Sequence, residues 1–183
     1  LSAVFNQTYK NIEVIIVDNE STDRTLEKTR KYQNIKYVTI KEYLPGASLN
    51  TGILASTGDY VVCLSGHCIP VDGYWLEHLV STLEEDERYA GVYGKQEPMS
   101  FSEPSDKRDM LLVFGLDRRV QKLDSFFHNA NSILRRKIWD EVPFDDEVTN
   151  IEDRIWGQEV LNLGYNLVYE PKASVYHYHG IHQ

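Results

Sequence analysis

The chain has 183 residues, of which 42% are hydrophobic and 26% are charged, and its formal net charge is −9. This length fits about one globular domain, and the acidic excess argues against nucleic-acid binding, which normally needs a basic face. No apolar run approaches the roughly 20 residues that span a bilayer, and no signal peptide is visible. Since the only cysteines are Cys63 and Cys68, a disulfide framework is not expected, and a reducing cytoplasm is the simplest compartment.

The first third of the chain alternates strand and helix signals. The β-branched run at residues 12–17 ends at Asp18, which is typical of a parallel strand. The predicted order is strand, helix, strand, helix and strand, over residues 12–17, about 22–32, 35–40, 48–56 and 60–64. This order predicts a doubly wound α/β sheet with right-handed crossovers.

The strand at residues 60–64 is followed by a cluster of small and polar residues. Ser65, Gly66 and His67 come directly after its last apolar residue. In open α/β sheets, ligands bind beyond the carboxyl ends of the strands. The sequence therefore predicts a binding site at these three residues.

The second half of the chain is less regular. Two amphipathic helices are predicted, at residues 72–88 and 151–163, and Gly164 is a good C-cap for the second. The other predicted elements are a strand at 90–95, an irregular insert at 98–123, mixed strand signals at 126–134, a helix at 135–141 and strands at 165–170 and 173–177.

Five segments carry motifs in a fixed order. They are NQTY at residues 6–9 with IEVIIVDNESTD at 12–23, GASLNTGI at 46–53, ASTGDY at 55–60, Glu152-Asp153, and Gly164-Tyr165 with Pro171. Together they resemble glycosyltransferase family 2 over most of the chain. The resemblance implies a GT-A fold with a mostly parallel sheet and flanking helices. It also implies one domain over residues 1–183, in which 1–95 bind the nucleotide sugar and 96–183 bind the acceptor.

Two departures from the family pattern stand out. The family's first strand has no counterpart in this sequence. The family's Asp-X-Asp metal motif, expected after the strand at 60–64, is replaced by Ser65-Gly66-His67. These departures do not change the expected fold, but they leave the expected metal site without the two carboxylates of the family motif.

The resemblance assigns several residues to the donor. Asp18 would accept a hydrogen bond from the base of a uracil or thymine nucleotide, the alternative being a helix N-cap. Asn50 and Gly52 would shape the diphosphate site, the alternative being turn chemistry. Ser65 and His67 would lie against the donor at the end of the central strand.

A divalent metal, Mn²⁺ or Mg²⁺, is the expected cofactor. Hard cations such as Mg²⁺ prefer oxygen ligands, whereas imidazole suits Mn²⁺ and other transition ions. Ser65-Gly66-His67 also resembles the Asp-X-His segment of the polypeptide N-acetylgalactosaminyltransferases, and Val175-Tyr176-His177 resembles their late histidine. The resemblance therefore implies His67 and His177 as ligands, although Ser65 brings no carboxylate charge. The alternative is a hydrogen-bonded His67, and His179 and His182 are expected to be solvated.

Glu152 and Asp153 begin the helix predicted at 151–163. The macrodipole and free N–H groups of a helix N-terminus would stabilise a carboxylate there without any catalytic role. The resemblance instead makes Asp153 the general base, with Glu152 as its catalytic neighbour or a helix cap. The distance in sequence from Asp153 to Gly164 fits three helical turns, which supports the match.

The leading hypothesis is an inverting hexosyl- or deoxyhexosyltransferase of polysaccharide biosynthesis. It would transfer a sugar from a nucleoside diphosphate to a glycan or lipid-linked acceptor, in the cytoplasm or in peripheral contact with the inner face of the membrane. One alternative is a catalytically impaired nucleotide- or sugar-binding domain of the same fold. Another is a nucleotidyltransferase, which would need an early basic phosphate-binding loop where this chain offers only Lys10 and Arg24.

Overall fold

The computed structural model describes residues 1–178, so His179 and His182 lie outside the described residues. In chain order, its elements are α1 (Ser2–Phe5), β1 (Val14–Asp18), α2 (Thr25–Thr29), β2 (Ile35–Thr39), α3 (Pro45–Leu54), β3 (Tyr60–Leu64), β4 (Cys68–Pro70), α4 (Trp75–Glu84), β5 (Tyr89–Pro98), α5 (Pro104–Val113), β6 (Arg119–Gln121), β7 (Asn131–Arg135), α6 (Arg136–Glu141), α7 (Glu152–Asn162) and β8 (Asn166–His177).

The strands form two sheets. β1 and β2 pair in parallel, and six strands form a second sheet in the order β3-β7-β5-β8-β4, with β6 also paired to β8. In this larger sheet β5 and β8 are parallel, whereas the other pairings are antiparallel. The predicted α/β class is confirmed, as is the alternation of strand and helix from β1 to β3. The antiparallel pairings come from the second half of the chain, where the sequence signals were mixed.

The two sheets meet at the start of β1 and β3 without a shared hydrogen-bond ladder in the described part of the chain. Oε1 of Glu13 accepts hydrogen bonds from the backbone N–H groups of Thr57 and Gly58. Helix α3 also packs on β1 so closely that a Cβ at Gly52 would lie 2.8 Å from Cγ2 of Val17. A carboxylate and a helix therefore hold the sheets together.

The larger sheet separates two hydrophobic clusters. Adjacent strand residues alternate between them: Leu167 and Tyr169 belong to one and Val168 to the other, as side chains of a strand point to opposite faces. One cluster includes α4, and the other includes α3, α6 and α7. Trp75, Trp139 and Trp156 are all buried in these clusters.

The insert predicted at 98–123 and the last two predicted strands differ from expectation. The insert contains α5 and β6. Helix α5 buries only Met110, so it carries almost no apolar periodicity to detect. The last two segments form one strand, β8, which continues through Pro171 because the register between β5 and β8 shifts near Gly94, and proline is tolerated at such an irregularity.

Candidate active site

Glu152 and Asp153 lie at the N-terminus of α7, where backbone N–H groups are free to bind a carboxylate. Oδ1 of Asp153 accepts the N–H of Arg154 at 2.8 Å, and Oδ2 accepts the N–H of Asn129 at 3.3 Å. The side-chain amide of Asn129 donates to Oε1 of Glu152 at 3.5 Å. Glu152 is buried, whereas Asp153 is partly exposed. Of the two carboxylates, Asp153 is therefore the one that a substrate can reach.

Both carboxyl groups bind protons more readily than usual. Burial raises the pKa of Asp153, against the opposing effect of the N–H groups of Asn129 and Arg154. Burial also raises the pKa of Glu152, and the neighbouring charge of Asp153 raises it further. Because a general base works best with a pKa near the working pH, a raised pKa suits Asp153 to proton abstraction.

Ser65, His67 and His177 form a second cluster. Oγ of Ser65 lies 3.0 Å from Nε2 of His67, and the rings of His67 and His177 stack with centroids 4.8 Å apart and planes 15° apart. The antiparallel pairing of β4 with β8 places Cys68 opposite His177, which brings the two histidines together. The structure thus joins the two residues that the resemblance named as metal ligands.

The donor set of this cluster favours a transition ion over Mg²⁺, since it offers two imidazoles and one hydroxyl. Within residues 1–178, no group of three or more His, Cys, Asp and Glu side chains is arranged to hold a metal ion. Burial raises the pKa of the Cys68 thiol to about 12, so this side chain is a neutral thiol in the metal-free protein. The residues present fit a transition ion only through the two imidazoles.

A short loop, residues 128–130, connects the two clusters. The carbonyl of Ala130 accepts the N–H of Ser65 at 3.1 Å, and the N–H of Asn129 donates to Asp153. Two consecutive residues therefore contact the histidine cluster on one side and the catalytic candidate on the other. Loop 128–130 therefore links the two clusters through backbone hydrogen bonds.

Asp18, the last residue of β1, is buried. Its Oδ2 accepts the N–H of Ser21 at 3.1 Å, which closes the turn after the strand. Asp18 does not cap α2, since the N–H of Thr25 donates to Oδ1 of Asp23 instead. The alternative of an N-cap is thus wrong, and the assignment of Asp18 to the nucleotide stays a prediction.

The buried side chain of Asn50 is a hub of four hydrogen bonds. Its amide donates to the carbonyl of Phe144 and to Oδ1 of Asp146, both at 2.7 Å. Its Oδ1 accepts from Nε1 of Trp139 at 2.8 Å and from the N–H of Phe144 at 3.2 Å. These bonds fill the capacity of the amide and tie α3 to α6. The assignments of Asn50 and Gly52 to the donor stay predictions, and both residues have clear packing roles.

Two surface depressions lie away from both clusters. One of about 590 Å³ is lined by residues 141–145 and the end of α7. Another of about 380 Å³ is lined by Asn50, Leu54, Trp139 and neighbouring residues. Neither includes Asp153 or His67. The candidate site is placed at the two clusters instead, because they hold the carboxylate and imidazole groups that the sequence predicted for it.

The family model for glycosyl transferase family 2 matches residues 1–142, which is most of the chain. The chain belongs to glycosyltransferase family 2. Its similarity to known members is moderate and extends along nearly its whole length. The glycosyltransferase AglE of Haloferax volcanii is 29% identical over 92% of this chain. The O-antigen chain rhamnosyltransferase WbaN of Salmonella anatum is 26% identical over 94%.

The family fold is confirmed by a solved structure. The mannosyltransferase PcManGT of Pyrobaculum calidifontis, in complex with GDP-Man and Mn²⁺, superposes with a TM-score of 0.72 at 20% identity, over 96% of this chain and 50% of that one. This likeness shows the GT-A fold. The chain spans 58% of the length of each of the two relatives named above, so it corresponds to a part of these family members.

None of the family motifs includes residues 128–130, so this loop was not identified from the sequence. Residues 126–134 gave mixed strand signals, and only residues 131–135 form a strand. The usable signal was the largely polar run at residues 128–132, with Asn129 and Asn131, between the apolar pairs at 126–127 and 133–134. Buried polar side chains of this kind need partners, and Asn131 finds three, including Nε1 of Trp75 at 2.8 Å.

Proposed function

We propose that this family 2 chain catalyses inverting transfer of a hexosyl or deoxyhexosyl group from a nucleoside diphosphate to a hydroxyl group of a glycan or lipid-linked acceptor. The observation that carries the proposal is the Asp153 carboxylate. It is partly exposed, it is oriented by two backbone N–H groups, its pKa is raised by burial, and loop 128–130 links it to the cluster of Ser65, His67 and His177.

Asp153 is proposed as the general base. Its carboxylate takes the proton of the acceptor hydroxyl while the hydroxyl oxygen forms a bond to the anomeric carbon. The bond from that carbon to the diphosphate oxygen breaks on the opposite face, and the leaving nucleoside diphosphate keeps the electron pair. Glu152 is proposed as the buried neighbour that holds Asn129 in position, since its Oε1 accepts the Asn129 amide.

The donor is proposed to bind at the carboxyl ends of β1 and β3, within the half formed by residues 1–95. Oδ1 of Asp18 has no hydrogen bond among residues 1–178, which leaves it available to the nucleotide base. Ser65 and His67 follow β3 directly. A divalent transition ion held by His67 and His177 would supply positive charge for the diphosphate. The boundary near residue 95 falls inside β5, so the donor and acceptor halves share one sheet.

The acceptor is proposed to approach Asp153 from the half formed by residues 96–183. WbaN, by its name, acts on the O-antigen chain, which supports a glycan acceptor and a role in polysaccharide biosynthesis. Nucleic acid is not proposed as a partner, given the acidic composition. The helices described for residues 1–178 include none with the length and apolar character to cross a membrane.

The experiment that tests this proposal is a transfer assay on the full chain. A panel of UDP, GDP and dTDP sugars is combined with octyl glycosides as acceptors, with and without Mn²⁺. Release of nucleoside diphosphate and formation of the extended glycoside, with inverted anomeric configuration by NMR, is the expected result. Donor binding without any turnover, under all metal conditions, would contradict the proposal.

A non-catalytic sugar- or nucleotide-binding domain is the second candidate. It is favoured by the replacement of the Asp-X-Asp motif with Ser65-Gly66-His67, which removes the carboxylates that usually hold the metal. Under this alternative, calorimetry detects a nucleotide sugar that is neither hydrolysed nor transferred. Metal-dependent turnover would exclude it.

A further inference from the structure

His128 occupies the loop that joins the two clusters, and the mechanism above does not use it. Its neighbour Asn129 donates its N–H to Asp153 at 3.3 Å, and Ala130, one residue further, accepts from Ser65 at 3.1 Å. His128 is partly exposed. Its imidazole therefore belongs to the residue directly before Asn129, whose N–H contacts the proposed base Asp153.

One hydrogen bond fixes the tautomer of the His128 ring. Nδ1 accepts the backbone N–H of Ala130 at 3.3 Å, so Nδ1 carries a lone pair. A neutral imidazole then carries its proton on Nε2. Among residues 1–178, no group accepts a hydrogen bond from this Nε2–H. The ring therefore presents a donor of fixed position that the described protein does not use.

The surroundings of the ring keep it uncharged. Its centroid lies 6.0 Å from that of Phe114 and 6.3 Å from that of Phe126, and the guanidinium of Arg154 lies 5.0 Å from the Phe126 ring. Burial, together with the positive charge of Arg154, lowers the pKa of His128 to about 4. At neutral pH the imidazole is therefore uncharged and can donate a hydrogen bond through Nε2.

We propose that His128 binds the acceptor sugar by donating a hydrogen bond from Nε2–H to an acceptor oxygen next to the hydroxyl that Asp153 deprotonates. This inference rests on the proposed function and adds a residue to it. A sugar fits the site chemically, because it offers several oxygens that accept hydrogen bonds and apolar C–H faces that pack on aromatic rings. Of the two flanking rings, Phe126 is partly exposed and provides such a surface, whereas Phe114 is buried behind it in the core.

Two substitutions separate this role from a structural one. In His128→Asn, the side-chain oxygen can replace Nδ1 as the partner of the Ala130 N–H, but the Nε2–H is lost. In His128→Gln, the side-chain amide can replace Nε2–H as a donor, but the bond to Ala130 is lost. His78 on α4, outside both clusters, provides the control variant His78→Ala.

The test uses the full chain with the nucleotide sugar and octyl glycoside that give turnover in the panel. We expect His128→Asn to raise KM for the glycoside about tenfold, the scale of one lost hydrogen bond, with an unchanged Tm and unchanged donor KM. We expect His128→Gln to restore the glycoside KM but lower Tm. The imidazole ¹⁵N spectrum of the wild-type chain should report the Nε2–H tautomer and shift when the glycoside is added.

An unchanged glycoside KM in His128→Asn, or a loss in both variants that follows Tm, would overturn the inference while leaving the proposed function intact. A ¹⁵N spectrum with the proton on Nδ1 would also overturn it. If the wild-type chain transferred sugar to no glycoside, the proposed function would fail, and this inference would fail with it. Donor binding and hydrolysis in each variant distinguish these cases.

Discussion

The backbone N–H of Asn129 donates a hydrogen bond to Oδ2 of Asp153 across 3.3 Å, although the two residues belong to different elements. The bond orients the carboxylate, and because it stabilises the charged form it also opposes a rise in the pKa of Asp153. Burial then raises the pKa of Asp153. Backbone N–H groups thus set the position of the proposed base, and burial outweighs their lowering effect on its pKa.

The pH dependence of transfer should report this basicity. Asp153 accepts a proton only when it is deprotonated, so kcat/KM should rise with pH and level off above the raised pKa. The acid limb should therefore lie above the ordinary aspartate value of 3.8. Initial rates from pH 4 to 8, with circular dichroism as a control for unfolding, measure it. A rate that stays constant down to pH 4 would rule out a titrating base of this kind.

The stacked histidines should govern metal binding. If His67 and His177 are ligands, His67→Ala and His177→Ala should each weaken Mn²⁺ binding at least tenfold, because each removes one of the two imidazoles in the set. Calorimetry with Mn²⁺ alone measures this, and His78→Ala on α4 is the matched control. Equal Mn²⁺ affinity in all three variants and the wild type would remove both histidines from the metal site. Mg²⁺ should bind much more weakly than Mn²⁺, since it prefers oxygen ligands.

Replacing the polar side chain of Asn50 should destabilise the fold. Asn50→Ala would leave Nε1 of Trp139 and the backbone of Phe144 without their partner in a buried place. Because buried polar groups are costly to leave unpaired, we expect this substitution to lower the free energy of unfolding by about 3 kcal/mol. Urea unfolding measures it against Asn162→Ala, which removes an exposed contact to Gln158. Equal costs for the two variants would show that the hub does not stabilise the fold.

Glu13 should make stability depend on pH. The N–H groups of Thr57 and Gly58 lower its pKa below the ordinary value of 4.5, so the folded state releases this proton more readily than the unfolded state. Its contribution is therefore present above pH 4.5 and is lost as the pH falls through the lowered pKa. The difference in unfolding free energy between the wild type and Glu13→Gln should shrink from pH 6 to pH 3. A constant difference over that range would contradict this link between the sheets.

The sequence predicted the elements whose apolar pattern is strong. The predicted strand at 60–64 matches β3, and the helix predicted at 151–163 matches α7 within one residue at each end. The meeting of His67 and His177 followed only from the resemblance, because β4 and β8 align two segments that lie far apart in sequence. The contacts of loop 128–130 to Ser65 and Asp153 escaped prediction because the loop makes them with backbone groups, which every residue type carries.

The hub at Asn50 escaped prediction for a different reason. Its partners lie on α6 and on the loop after α6, roughly ninety residues away. No local pattern tells a buried amide that binds protein from one that binds a ligand. The motif containing Asn50 and Gly52 was recognised, but the packing that both residues provide became visible only once α3, β1 and α6 were placed together.

The role of Asp153 can be tested most directly by comparing Asp153→Asn with Glu152→Gln in the transfer assay. We expect Asp153→Asn to lower kcat by about 10²- to 10⁴-fold, the usual contribution of a general base, with unchanged affinity for the nucleotide sugar by calorimetry. Glu152→Gln, which keeps an acceptor for the Asn129 amide, should retain most of the activity. Near wild-type turnover in Asp153→Asn would contradict the assignment of the base and, with it, the proposed mechanism.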